Sequence, residues 1–316
     1  TDIGAGLGGT MELNEQAFIP LNGALQYISV RAEKKGAPLL LYLHGGPGDA
    51  ALPLVLKFNR ELEKHFTVVV WEQRGAGKSY YRFGDEQPSI DTFLQDLYAL
   101  VSALLARFEQ RDLYLVGHSW GSVLGLRFVQ EHPELVRVYV GCGQVVNMKK
   151  SCREAYGYAF SHAEGKARER LRRIDCGYPD TGDGWLEDLL FVTGQVVKHK
   201  GSLYGRTNYN ELIKPFLGCR YYSPLDLLRR QKGSLQAIRC LWQELMQTDF
   251  EGQTHYGAPV IFAEGRHDSH VSSELAKRYF DSIETEKRFV WFEKSCHFPQ
   301  WSESEKFNAL IIGLLA

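Results

Sequence analysis

Residues Leu113-Tyr114-Leu115-Val116-Gly117-His118-Ser119-Trp120-Gly121-Ser122 decide how this chain is read. An apolar, β-rich run enters the turn and the stretch from Ser122 to Gln130 leaves it with helical character, so the segment predicts strand, sharp turn, helix. A turn that tight strains the backbone of its central residue, and glycines two before and two after Ser119 leave room for neighbouring elements to close in. The pattern holds a serine hydroxyl clear of a sheet, as a nucleophile elbow does. A Gly-Ser turn without chemistry shares the same letters, and what separates the two is whether partners for the hydroxyl appear elsewhere in the chain.

On either side of the elbow, β-rich runs at 25–31, 38–44, 67–73, 113–118 and 137–141 alternate with helical patterns. That alternation predicts a mostly parallel sheet with helices on its faces. Between the third and fourth runs, Ile90, Phe93, Leu94, Leu97, Val101, Leu104, Leu105 and Phe108 recur at helical steps, an amphipathic helix whose apolar face packs a core. Tyrosines and mixed charges then replace buried strands across 148–255. The earlier rhythm resumes with a strand at 259–265, a helix at 272–280, a strand at 288–293 and a final helix at 303–315. The expected organisation is a core formed by 1–147 and 256–316, interrupted by a helical cap at 148–255.

Composition narrows the function classes. With 316 residues, 24% charged and a formal net charge of −1, the chain has no basic field to hold a phosphate backbone, so nucleic acid is not expected as a partner. Cys142, Cys152, Cys176, Cys219, Cys240 and Cys296 form no CxxC pair, which suits scattered thiols in a reducing, cytoplasmic setting better than a disulfide framework or a zinc site. No run approaches 18 apolar residues and no signal-peptide pattern opens the chain, so no membrane segment is expected. The chain starts at Thr1 and not at a methionine, and removal of an upstream segment is one expectation from that. Gly4-Ala5-Gly6-Leu7-Gly8-Gly9 fits GxGxxG but follows no strand, and Gly77-Lys78-Ser79 lacks the glycine a phosphate loop needs, because Glu72 stands there. His267-Asp268-Ser269-His270 has no third ligand at a recognisable spacing, so neither metal nor cofactor is expected.

A serine nucleophile needs a base, an acid to orient that base, and donors for the oxyanion. Asp268 follows the strand at 259–265 and His297 follows the next one, so both fall on loops at one edge of the sheet, where open α/β sheets build their sites. Asp268 as a helix cap or surface ion-pair partner, and His297 as a core or surface histidine, stay open alternatives. His267 and His270 compete as bases but share Asp268's loop. One oxyanion donor is the Trp120 N–H and the other is expected from His44-Gly45-Gly46-Pro47-Gly48, with Gly46 as the donor and Gly45 beside the substrate.

The segments His44-Gly45-Gly46-Pro47-Gly48, Trp71-Glu72-Gln73-Arg74-Gly75-Ala76-Gly77-Lys78-Ser79, Gly117-His118-Ser119-Trp120-Gly121-Ser122, Gly265-Arg266-His267-Asp268 and Cys296-His297-Phe298 together resemble the proline iminopeptidase branch of the α/β-hydrolase superfamily. The resemblance implies the α/β-hydrolase fold, with Ser119 as nucleophile, Asp268 as orienting acid, His297 as base, and Gly46 and Trp120 as oxyanion hole. It departs at Glu72, where the family usually has aspartate; Arg74 in the same loop is expected to hold the architecture through hydrogen bonds.

The resemblance also implies an aminopeptidase that releases N-terminal proline or another small residue from short peptides or amides. Members that do so place cap glutamates around the free amine, often in a WxxWE-like stretch, which Trp242-Gln243-Glu244 matches only in part. A buried ammonium needs a carboxylate partner, and Glu211, Asp226, Glu244 and Asp249 are the candidates late enough in the insertion, with Glu211 and Glu244 taken as substrate-binding. Against this stands the insertion's charge, 17 Lys and Arg to 13 Asp and Glu across 148–255. Its aromatic residues, among them Tyr156, Tyr158, Phe160, Trp185, Phe191, Tyr204, Tyr209, Phe216, Tyr221 and Tyr222, suit either an apolar acyl pocket or packing onto the sheet. A carboxylesterase or lactone hydrolase with the same machinery is the alternative, and a binding module that has lost the chemistry is a third reading.

Overall fold

Eight strands form one sheet in the order β1-β2-β4-β3-β5-β6-β7-β8, in a computed structural model that describes residues 13–85, 87–179 and 184–316. The strands are β1 (Leu13–Leu21), β2 (Ala24–Ala32), β3 (Leu39–Leu43), β4 (Thr67–Glu72), β5 (Leu113–His118), β6 (Val136–Cys142), β7 (Val260–Gly265) and β8 (Lys287–Phe292). From β4 to β8 every neighbouring pair is parallel, while β1 and β2 add an antiparallel hairpin at one edge. The Gly4–Gly9 stretch lies outside the described residues.

The central strands are apolar on both sides because both faces of a parallel sheet are covered. In β3, Leu39, Leu41 and Leu43 join one buried cluster and Leu40 and Tyr42 join another. Each such side chain contributes about 1.5–3 kcal/mol by leaving water. The first cluster takes in α2 (Ile90–Arg107), α3 (Trp120–Glu131) and α9 (Ser273–Ser282); the second takes in α1 (Leu52–Phe58), α10 (Pro299–Ser302) and α11 (Ser304–Ile312). Among the described residues, five helices lie between β6 and β7: α4 (Met148–His162), α5 (Gly165–Leu171), α6 (Gly184–Lys198), α7 (Asn210–Leu217) and α8 (Pro224–Leu245). Buried residues of α4, α5, α6 and α8, including Cys152, Leu189, Val192 and Leu241, continue the first cluster, and Leu212 and Phe216 of α7 continue the second, so the helices form no separate core.

β1 is absent from the sequence-based expectation. Its Asn14, Glu15, Gln16 and Pro20 are tolerated because β1 pairs on one side only. The turn into β2 carries Asn22 at φ 44° and Gly23 at φ 81°, the two-residue hairpin that Asn-Gly favours.

The inserted helices are tied to the sheet by polar contacts as well as by packing. Lys78 Nζ lies 3.1 Å from Asp226 Oδ2, and Tyr222 donates to the Glu72 carboxyl. Burial pushes that carboxyl up to about 7 despite its hydrogen bonds. Ser79 donates to the Glu72 carbonyl at 2.6 Å and accepts the Tyr27 N–H at 2.7 Å, so Gly77-Lys78-Ser79 serves structure. Arg74 makes two bonds of 2.8 Å to the buried Asp96 and reaches the carbonyls of Leu21 and Asn22. All six cysteines are free. Among the described residues no helix is long and apolar enough to cross a membrane, and no cluster of His, Cys, Asp or Glu could hold a metal.

Candidate active site

Ser119 sits between β5 and α3 with φ 53° and ψ −118°. Such backbone geometry in a non-glycine residue costs on the order of 1–3 kcal/mol and persists only where its surroundings enforce it. They do so here through close approach: a Cβ on Gly117 would lie 2.5 Å from the Gly121 carbonyl oxygen, and one on Gly121 would lie 2.7 Å from that of His44. The Ser119 N–H donates to the Cys142 carbonyl at 3.0 Å, fixing the elbow to the end of β6.

His297 Nε2 lies 2.9 Å from Ser119 Oγ, and His297 Nδ1 donates to Asp268 Oδ2 at 2.8 Å. A carboxylate only accepts, so Nδ1 carries the proton and Nε2 is left to accept from the serine hydroxyl. Asp268 Oδ1 is held by the N–H groups of His270 at 2.8 Å and Val271 at 3.0 Å. Burial pushes the His297 imidazole well below its ordinary 6.5, so it is neutral at neutral pH. Burial pushes the Asp268 carboxyl up, opposed by His270 and by the two backbone donors.

Other histidines serve as supports. His118 Nε2 donates to the His297 carbonyl at 2.9 Å. The His270 ring stacks on His297 with centroids 4.5 Å apart and planes 11° apart, and its Nδ1 is 3.0 Å from Ser202 Oγ. The competing base on Asp268's loop is thus a flat wall for the ring that does reach Ser119. His44 Nδ1 donates to the Gly45 carbonyl at 2.7 Å while its Nε2 accepts the Gln73 N–H at 3.1 Å, bracing the glycine loop. Gln73 then accepts the Trp120 indole N–H at 2.7 Å, linking that loop to the elbow.

Gly143 escaped the sequence reading. It has φ +53°, and a Cβ there would stand 2.8 Å from His297 Nδ1, so only a glycine lets this loop pass the imidazole. Its neighbour Gln144 donates its N–H to the buried Glu264 at 2.9 Å. No local motif marks either position.

Gly45, Gly46, Ser119 and His297 open onto one cavity of about 310 Å³. The inserted helices contribute mainly apolar side chains to it, among them Met148, Leu189, Val192, Leu212, Trp242 and Leu245. Of the insertion aromatics picked out from sequence, Tyr209 lines this cavity and the others named do not.

Two substrate-binding assignments are corrected. Glu211 is exposed, pairs with Arg206 at 2.6 Å and lines a separate surface groove beside Arg31 and Lys214. Glu244 accepts the Ile90 N–H at 2.8 Å, capping the first turn of α2, and does not line the cavity. Each carboxylate is already satisfied where it stands. Asp226 is occupied by Lys78 and Ser223, and Asp249 accepts the Glu251 N–H at 2.9 Å on the surface.

A family model described as alpha/beta hydrolase fold matches residues 38–304. The probable aminopeptidase YbaC of Bacillus subtilis (strain 168) is 34% identical over 286 residues, 85% of this chain and 86% of that protein. A proline iminopeptidase of Heyndrickxia coagulans is 24% identical over 308 residues, 94% of this chain and 96% of its own. Among solved structures, the proline iminopeptidase of Mycobacterium smegmatis superposes with a TM-score of 0.68 at 19% identity, covering 95% of this chain and 97% of that one.

Proposed function

We propose, from a chain that belongs to the α/β-hydrolase fold family in its proline iminopeptidase-like branch, a serine aminopeptidase that releases proline or another small N-terminal residue from short peptides or amides. The observation that carries the chemistry is the relay from Ser119 Oγ through His297 to Asp268, at 2.9 Å and 2.8 Å. His297 takes the hydroxyl proton as Ser119 attacks the carbonyl carbon. The N–H groups of Trp120 and Gly46 receive the oxyanion, and the protonated imidazole returns its proton to the departing amine. Water, deprotonated by the same histidine, then releases the acyl group from Ser119. The peptidase half of the reading draws on the named relatives.

A second reading, a carboxylesterase or lactone hydrolase, draws on the apolar lining of the cavity and on the absence, among the described residues, of a carboxylate brought to it by the inserted helices. The two separate on a substrate panel. Fluorophosphonate labelling of Ser119 together with turnover of free-amine aminoacyl naphthylamides supports the peptidase. Labelling with turnover of acetyl and butyryl esters alone supports the esterase. Absence of labelling with a folded protein overturns the serine mechanism.

A further inference from the structure

The sequence points to the insertion for a carboxylate that would hold a substrate ammonium, and Glu211, Asp226, Glu244 and Asp249 there are engaged elsewhere. Among the described residues lining the cavity above Ser119, the one carboxylate is Asp49, which comes from the core loop that also carries Gly46. We propose that Asp49, paired with Arg230 of α8, is the acceptor for the substrate's free α-amine. This rests on the aminopeptidase reading and assigns its specificity to a core residue.

Distance is the first support. In an aminoacyl group the amine nitrogen lies about 2.5 Å from the carbonyl carbon, so its acceptor must stand close to the oxyanion donors. A Cβ on Gly46 would lie only 3.4 Å from Asp49 Cβ, which puts the Asp49 side chain beside the proposed oxyanion site. Open valence is the second. Asp49 Oδ1 accepts the Ala50 N–H at 2.8 Å and the Arg230 Nε–H, whereas no hydrogen bond reaches Oδ2 among the described residues. The side chain keeps 36% of its surface accessible and lines the cavity, so a ligand there can reach it.

Charge is the third. A carboxylate this close to an apolar cavity tends to protonate, because burial disfavours the ion. Burial does push Asp49 up, but Arg230, together with His44 and the Ala50 N–H, outweighs it and holds the carboxyl below its usual range. The guanidinium is itself seated over the Phe216 ring at 4.3 Å, so the pair is braced from the insertion side. A neutral or acylated nitrogen brings no charge to Oδ2. The site thereby favours a free N-terminus over a blocked one.

The test compares wild type with Asp49→Asn on three substrates: a prolyl or alanyl naphthylamide, its N-acetylated form, and p-nitrophenyl butyrate. The expected result is a loss of about 100-fold in kcat/KM on the free-amine substrate, the order expected for removing a charged hydrogen-bond partner. Turnover of the butyrate should stay within a few fold, and the preference for free over acetylated amine should collapse. A preference that survives in Asp49→Asn overturns the proposal and leaves the aminopeptidase reading intact. Parallel loss on all three substrates also overturns it, since that reports a damaged oxyanion loop. Butyrate turnover by wild type with none on any free amine removes the aminopeptidase reading and this role with it. If Asp49→Asn does not fold, Arg230→Met reports on the same pair. The acid fall of its preference for the free over the acetylated amine, a ratio from which the relay's own titration cancels, should move to higher pH, and a stationary fall overturns the proposal.

Discussion

The two walls of the cavity are built on different principles. The sheet-edge wall, with Ser119, His118, His297, His270 and Gly46, is polar, and the side chains on it are fixed by named hydrogen bonds or a stacked ring. The inserted wall, with Leu189, Val192, Trp242 and Leu245, is apolar and held by packing. Reaction requires polar atoms placed to within about 0.5 Å, which strand ends and strained turns supply. Selection among substrates needs only shape and apolar area, which helices supply and can vary. The division is not complete, because the Ser202 carbonyl, from the insertion, accepts the His297 backbone N–H at 3.1 Å and the Ser202 hydroxyl sits against His270.

The largest expected effect attacks the polar wall at its centre. Ser119→Ala should lose about a millionfold in turnover with an unchanged melting temperature; retention of activity within tenfold would assign the nucleophile elsewhere. Gly143→Ala should cost on the order of 100-fold in kcat, because its methyl group displaces the His297 ring and a displacement of this size commonly has that effect. Wild-type kcat here would show that the loop yields freely.

The apolar wall should answer differently. Leu189→Ala enlarges the cavity and should shift preference toward bulkier acyl groups by about tenfold in relative kcat/KM, with turnover of the smallest substrate nearly unchanged. A uniform fall across substrates would show that the two walls are not separable.

Histidine titration gives a finer probe of the polar wall. His297 acts only when neutral, a histidine is neutral above its pKa, and burial lowers this one from 6.5. Burial raises the adjoining Asp268 carboxyl to about 7, so the first proton enters the pair there and the acid limb on a neutral ester should lie near pH 7; a limb that follows only the lowered imidazole would show that Asp268 stays ionised. The smallest effect is expected at Glu244→Ala. It removes a cap on α2, at a cost of about 1 kcal/mol in stability, and should leave free-amine turnover unchanged. Loss of amine selectivity there would return the ammonium site to the insertion.

Much of this molecule is legible in its residues. The GxSxG turn, the HGGPG loop and the order Ser119, Asp268, His297 follow from local rules, since a strand-to-helix turn needs its glycines wherever the strand lies. The hairpin edge was missed because β1 carries polar residues and proline that only a one-sided partner permits, although Asn22-Gly23 signals the turn. Gly143 and Glu264 carry no motif, because their roles exist only once distant loops are brought into contact.

By itself the order of residues determined the kind of sheet, the turn that exposes Ser119 and which side chains lie at its carboxyl edge, all consequences of backbone preference and apolar periodicity. Only tertiary structure decided which carboxylates are spent on helix caps and ion pairs and which one faces the cavity. A charge's availability depends on what stands within a few ångströms of it, and neighbours such as Asp49 and Arg230, or Glu244 and Ile90, meet only when the chain closes.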